Sequence, residues 1–198
     1  MGDTVRIPGG RAVTATLDRP ESDTVVVACP PHPQHGGSRS DTRLQAVSDA
    51  LAPDVGCLRF DYGAWDEGRG ERVDAENALA WAGERADAVG LFGYSFGAAV
   101  ALRAAAELDA AAEPAVLSVL APPAGLTDHL DAVAALDAIG CPLQVVVGER
   151  DDTVDWEPVA DRAETLGDAV ERLPADHHFV GQQGRIGETV GPFLRDRL

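Results

Sequence analysis

Lysine is missing from this chain. All 16 basic side chains are arginines, set against 33 aspartates and glutamates, for a formal net charge of −17. A surplus of that size repels phosphates and argues against nucleic acid as a partner. Two accounts of the imbalance compete: an acidic surface adapted to a saline cytoplasm, and a GC-rich genome whose codons favour Arg and Ala. Cysteine is scarce. Cys29, Cys57 and Cys141 are widely spaced, odd in number and without metal-ligand spacing, so buried reduced thiols are expected rather than a disulfide framework. No apolar run approaches the length that spans a bilayer. The N-terminal residues Met1 to Arg6 lack a basic stretch followed by an apolar core. The expectation is therefore no secretory signal, no membrane partner and a cytoplasmic location. Serine is rare as well, at six positions, and that gives weight to where one of them stands.

What is present is an alternation of strands and helices over 198 residues, enough for one well-buried core. Strands are expected at Arg11–Leu17, Thr24–Cys29, Gly56–Asp61, Ala88–Phe92, Pro114–Leu120, Pro142–Gly148 and Ala169–Leu173. Helices are expected at Arg43–Leu51, Val73–Ala86, Ala98–Leu108, Thr127 to about Leu136, Pro158–Leu166 and Ile186–Leu198. Interleaving of this kind implies an α/β fold, a doubly wound and mostly parallel sheet with helices on both faces. No repeat, low-complexity segment or linker divides the chain, so residues 1–198 read as a single domain. No unassigned stretch is long enough to hold an inserted cap.

The most specific feature is Gly93-Tyr94-Ser95-Phe96-Gly97, between an apolar strand and an alanine-rich helix. With 21 glycines and six serines, a Gly-x-Ser-x-Gly arises by chance roughly 0.07 times in such a chain. A strand, a sharp turn carrying serine and then a helix is the sequence form of a nucleophile elbow. The turn holds the hydroxyl exposed, the glycines remove side chains that would clash, and the helix aims free N–H groups at developing negative charge.

An acyl-transfer serine needs a base, an acid to orient it and an oxyanion hole. The loop after Leu143–Val147 offers Asp151 and Asp152, and residue pattern alone leaves both open. The loop after the last strand, Pro174-Ala175-Asp176-His177-His178-Phe179, offers the base. That histidine pair has no cysteine or carboxylate company with ligand spacing, so no metal and no cofactor is expected. For the oxyanion hole, the Phe96 amide is one donor. The other should come from the loop after Cys29, where Pro30, Pro31 and Pro33 carry no N–H and His32 does. Candidate substrate contacts are His35, Tyr94, Trp65 and His178. Arg39, Arg59 and Arg69 are the arginines that would have to line the pocket for an anionic substrate to be accepted.

Taken together these segments resemble the α/β-hydrolase superfamily, and within it the small cap-less branch of dienelactone hydrolases and short-chain carboxylesterases. The matching residues run from about 20 to 195. They are Pro31-His32-Pro33 followed by Gly36-Gly37, Arg59-Phe60-Asp61, Gly68-Arg69-Gly70-Glu71, the elbow itself, Gly148 with Asp151 and Val154, and Ala175-Asp176-His177-His178-Phe179. Pro30 stands where that branch often has a first histidine, and the loop Tyr62–Glu67 is shorter than usual. The resemblance implies Ser95 as nucleophile, His177 as base and Asp151 as acid, acting on a small-molecule carboxylic ester. A thioesterase, peptidase or acyltransferase would share the same triad. A non-catalytic binding module of this fold would be expected to lose a triad position, and none is lost.

The charge imbalance carries its own test. Melting temperature should rise as chloride salt goes from about 0.1 M to 2 M, where the Debye length falls to about 3 Å or less. A rise that continues in molar salt supports adaptation to a saline cytoplasm. A rise that ends near 0.3 M supports the codon account, and a flat or falling series excludes salt adaptation.

Overall fold

Thr24–Cys29 reads Thr-Val-Val-Val-Ala-Cys and becomes the middle of the molecule because both of its faces are apolar. Val25, Val27 and Cys29 enter one core, and Val26 and Ala28 the other. The computed structural model describes residues 2–198. Around that strand (β3) lie β1 (Asp3–Ile7), β2 (Val13–Asp18), β4 (Gly56–Asp61), β5 (Ala88–Tyr94), β6 (Val116–Leu120), β7 (Leu143–Gly148) and β8 (Ala169–Leu173). They form one eight-stranded sheet in the order β1-β2-β4-β3-β5-β6-β7-β8. β2 runs antiparallel to both of its neighbours, β1 at the edge and β4, and the remaining pairings are parallel.

Helices α1 (Thr42–Leu51) and α6 (Gln183–Arg195) cover one face through Leu44, Val47, Leu51, Ile186, Val190 and Leu194. Helices α2 (Arg69–Gly83), α3 (Phe96–Glu107), α4 (Ala132–Leu136) and α5 (Glu157–Leu166) cover the other. The fold is therefore the doubly wound, mostly parallel α/β sheet that the alternation implies. Strand order reverses at β3, which has β4 on one side and β5 on the other. Ligand crevices of such sheets open beyond the carboxyl ends of the strands at that point. Among the described residues no segment forms a cap over it, and no helix is long and apolar enough to cross a membrane.

The boundaries differ from the sequence expectation where side chains, not periodicity, decide them. Helix α2 starts at Arg69, four residues early, because the Glu71 carboxylate accepts the amides of Asp66 (2.9 Å) and Gly68 (2.8 Å). Helix α4 is shorter than expected: Asp131 caps it through the Ala134 amide at 3.0 Å, and the residues before it form turns. Helix α6 begins at Gln183 and carries Pro192 within it. Strand β1 was not expected at all; only Ile7 of its five residues is buried. Of the three cysteines, Cys29 and Cys57 are buried as expected, whereas Cys141 is only half-buried.

Glu71 also shapes the neighbourhood of the crevice. It is fully buried, and the two amides that it holds close the loop 62–68. Replacing it by Ala leaves those donors without an acceptor, at about 1–3 kcal/mol for each buried group. Glu71→Ala should therefore lower unfolding free energy by about 2–4 kcal/mol in urea titration. A loss below about 0.5 kcal/mol would contradict the capping role.

Candidate active site

The crevice at the ends of β3 and β5 is built on close backbone packing. Ser95 follows β5 with φ 55° and ψ −120°, a left-handed conformation that costs a non-glycine residue about 1–3 kcal/mol. The strain is held by its surroundings. The Ser95 amide donates to the Leu120 carbonyl at 2.9 Å, and the Ser95 carbonyl accepts from Ala98 at 2.8 Å. A Cβ on Gly93 would collide with the Gly97 carbonyl, and one on Gly97 with the carbonyl oxygens of Cys29 and Pro30. The glycines of the elbow are needed for close approach, as the sequence reading proposes, and neither adopts positive φ.

Ser95, His177 and Asp151 come together in a hydrogen-bonded line. Ser95 Oγ lies 2.9 Å from His177 Nε2, and His177 Nδ1 lies 2.7 Å from Asp151 Oδ2. His177 and Asp151 are both buried. Asp151 Oδ1 accepts the amides of Thr153 (3.0 Å) and Val154 (3.3 Å), which fixes the carboxylate in one orientation. Asp152 is exposed and makes none of these contacts. The acid loop and the histidine loop meet at Gly148, where a Cβ would lie 2.7 Å from the Ala175 carbonyl. Tyr94 donates its hydroxyl to the His177 carbonyl at 3.0 Å. Burial pushes that hydroxyl up to about 12, so it remains a donor through the physiological range.

Phe96 and His32 both line the crevice, and among the described residues neither backbone amide has an acceptor. Phe96 is the first residue of α3, where N–H groups are free by construction. The His32 carbonyl accepts from His35 and Gly37, both at 3.0 Å, and its Nδ1 accepts from Gln34 at 3.2 Å. The His32 ring stacks on His35 (4.5 Å between centroids) and leans on Trp65 (4.6 Å) and Phe96 (4.9 Å). Burial and the neighbouring His35 hold this imidazole below its usual pKa.

The cleft has a volume of about 400 Å³ and takes in Ser95, His177, His35, His178 and Tyr94. His178 is exposed, its ring edge-on to His177 at 5.3 Å. One sequence assignment changes. Trp65 does not line the cleft; its ring packs against those of His32 and, at 5.6 Å, Phe96. Arg39, Arg59 and Arg69, the arginines that an anionic substrate would have required there, do not line it; they pair with Asp61, Asp18 and Asp66 respectively. The arginine at the cleft is Arg43, on the first turn of α1, with Asp41 at 2.6 Å and the Tyr94 ring at 4.6 Å. No motif marks Arg43, Leu126 or Thr153, which reach the cleft from helix α1 and from the connections after β6 and β7. Among the described residues no cluster of three or more His, Cys, Asp or Glu has the arrangement to hold a metal ion.

Similar architectures occur in solved structures. A lid-less α/β serine hydrolase from Xanthomonas campestris is 28% identical, with a TM-score of 0.81 over 100% of this chain and 95% of its own. A dienelactone hydrolase from Anabaena variabilis is 19% identical, with a TM-score of 0.79 over 100% and 98%. The protein Est1E from Butyrivibrio proteoclasticus is 15% identical, with a TM-score of 0.80 over 99% and 98%. No protein-family model and no curated protein sequence matches the chain. The fold is that of the α/β hydrolases in its cap-less form.

The two neighbouring aspartates give a direct test of the arrangement. Asp151→Asn should cost about 10⁴-fold in kcat, because an amide no longer fixes the imidazole tautomer. Asp152→Asn should stay within about twofold of the parent. Equal modest losses in ester hydrolysis for both variants would place the orienting acid elsewhere.

Proposed function

We propose that this chain is a serine hydrolase that cleaves a carboxylic ester of a small molecule through an acyl-enzyme. Ser95 Oγ attacks the ester carbonyl while His177 Nε2 takes its proton. The carbonyl oxygen becomes an oxyanion and accepts from the Phe96 and His32 amides. Collapse of the tetrahedral intermediate breaks the bond to the alcohol, which leaves with the proton that His177 returns. Water then repeats the sequence on the acyl-Ser95 ester, with His177 again as base, and releases the acid. Asp151 keeps the Nδ1 proton toward itself and stabilises the imidazolium. The chain supplies every group that these steps require, so the reaction runs without a cofactor.

The observation that carries this reading is the Ser95–His177–Asp151 line at 2.9 and 2.7 Å, on a strained elbow beside two free amides. An open cleft of about 400 Å³ favours a small, accessible ester over a polymer. Its walls are mixed: Leu126 and Val154 offer apolar contact, while His35, His178 and Thr153 are polar.

Ser95→Ala should leave the melting temperature within a few degrees of the parent and reduce p-nitrophenyl ester hydrolysis by about 10⁴-fold or more. A fluorophosphonate should label the parent stoichiometrically at Ser95 and leave the variant unlabelled. Retention of parental activity by Ser95→Ala rules the mechanism out.

A further inference from the structure

We propose that the Tyr62 hydroxyl is a positioning group for the oxyanion amide of His32, acting through the Pro30 carbonyl. The inference rests on the hydrolase reading above. Tyr62 lies just past the end of β4, buried and outside the cleft, and touches none of Ser95, His177 or Asp151. Its hydroxyl donates to the Pro30 carbonyl at 3.2 Å. Burial pushes its pKa well above the usual tyrosine value, so the donor persists at every working pH.

The connection from that carbonyl to the His32 N–H is unusually stiff. The Pro30–Pro31 and Pro31–His32 peptide units are planar. Between those planes lie two torsions of Pro31, and its ring fixes φ. One free torsion, Pro31 ψ, thus separates the orientation of the Pro30 carbonyl from that of the His32 N–H. That torsion is confined from the other side. A Cβ on Gly37 would collide with the Pro31 carbonyl, and the Gly37 amide donates to the His32 carbonyl at 3.0 Å. The Pro30 carbonyl is itself clamped between Tyr62 Oη and the backbone of Gly97, two residues after the nucleophile. The elbow and the oxyanion loop are therefore set against each other at this carbonyl.

The phenol is held as firmly as the group that it holds. Its ring meets Phe60 edge-on at 5.1 Å and Phe96 edge-on at 5.6 Å. Tyr62→Phe keeps both ring contacts and removes only the hydroxyl, with its bond to Pro30 and its interaction with the buried Cys29 thiol. Without it the Pro30 carbonyl is free to tilt, and the His32 N–H tilts with it. Deleting an oxyanion donor outright costs about 10²–10³ in kcat; a donor retained but loosened should cost less, on the order of 5- to 30-fold.

Two readouts separate positioning from mere support: the steady-state constants for a p-nitrophenyl ester, and inhibition by a trifluoromethyl ketone with the same acyl group. The ketone adds Ser95 Oγ to its carbonyl carbon and places the resulting oxyanion between the two amides. Tyr62→Phe should lower kcat about 5- to 30-fold with KM within twofold of the parent, and should weaken the ketone by the same factor. The pH profile should keep its shape. Unchanged kcat with a lower melting temperature would reduce Tyr62 to a packing residue and overturn the proposal. So would a fall in kcat with ketone affinity intact. Should Tyr62→Phe fail to fold, Gly37→Ala disturbs the same lever from its other side and must weaken the ketone in parallel with kcat, or the proposal fails. A parent protein that neither cleaves esters nor binds the ketone defeats the hydrolase reading itself. An active parent with an unaffected Tyr62→Phe defeats only this inference.

Discussion

The contact on which the site depends is one between two pieces of backbone. Gly97, in the first turn of α3, rests against the carbonyls of Cys29 and Pro30 at the end of β3. Any side chain at that position would separate the two strands' ends, and with them the Phe96 and His32 amides. The strained φ of Ser95 follows from the same constraint. The chain must turn from β5 into α3 within one residue if the helix is to sit on the neighbouring strand. Backbone strain of about 1–3 kcal/mol is small against the burial of α3, whose residues Phe96–Leu102 are all almost fully excluded from solvent.

A second contact of the same type joins the other half of the site. Gly148 at the end of β7 lets the Ala175 carbonyl pass close by, and backbone bonds from Glu149 and Arg150 to Leu173 and Ala175 stitch the two loops together. Asp151 and His177 are thus brought to 2.7 Å by loops that are already registered to each other. Tyr94 then ties the histidine loop back to the elbow strand. Ser95, Asp151 and His177 come from three strand ends, yet each joint between those ends is made by backbone or by a buried hydroxyl.

Much of this was legible in the residues. The β-branched run of β3, the apolar run of β5 and the Val-rich β7 each have one reading, and the elbow glycines have a steric reason that the packing repeats. What was not legible was decided by side chains far apart in the chain. Glu71 moved the start of α2 by reaching back to amides, a bond that periodicity does not register. Strand β1 alternates Val5 and Ile7 but is short and mostly exposed, so its pairing with β2 supplies what its sequence lacks. Trp65 was a candidate substrate contact and instead packs on the His32 ring. Arg43 carried no signature and lies at the cleft, because helix α1 starts where the loop after β3 ends.

The position of His177 along the chain decides which elements must be in place before it meets Ser95. Ser95 and its elbow belong to the first half of the sequence, whereas His177 sits on the loop between the edge strand β8 and helix α6. That loop is held on the sheet by neighbours on both sides: β8 pairs only with β7, and α6 packs on α1 across the buried residues of the face they share. The elbow by itself therefore holds a serine hydroxyl without the rest of its hydrogen-bonded line: Asp151 and His177 join it only once β7, β8 and α6 are all seated on the sheet.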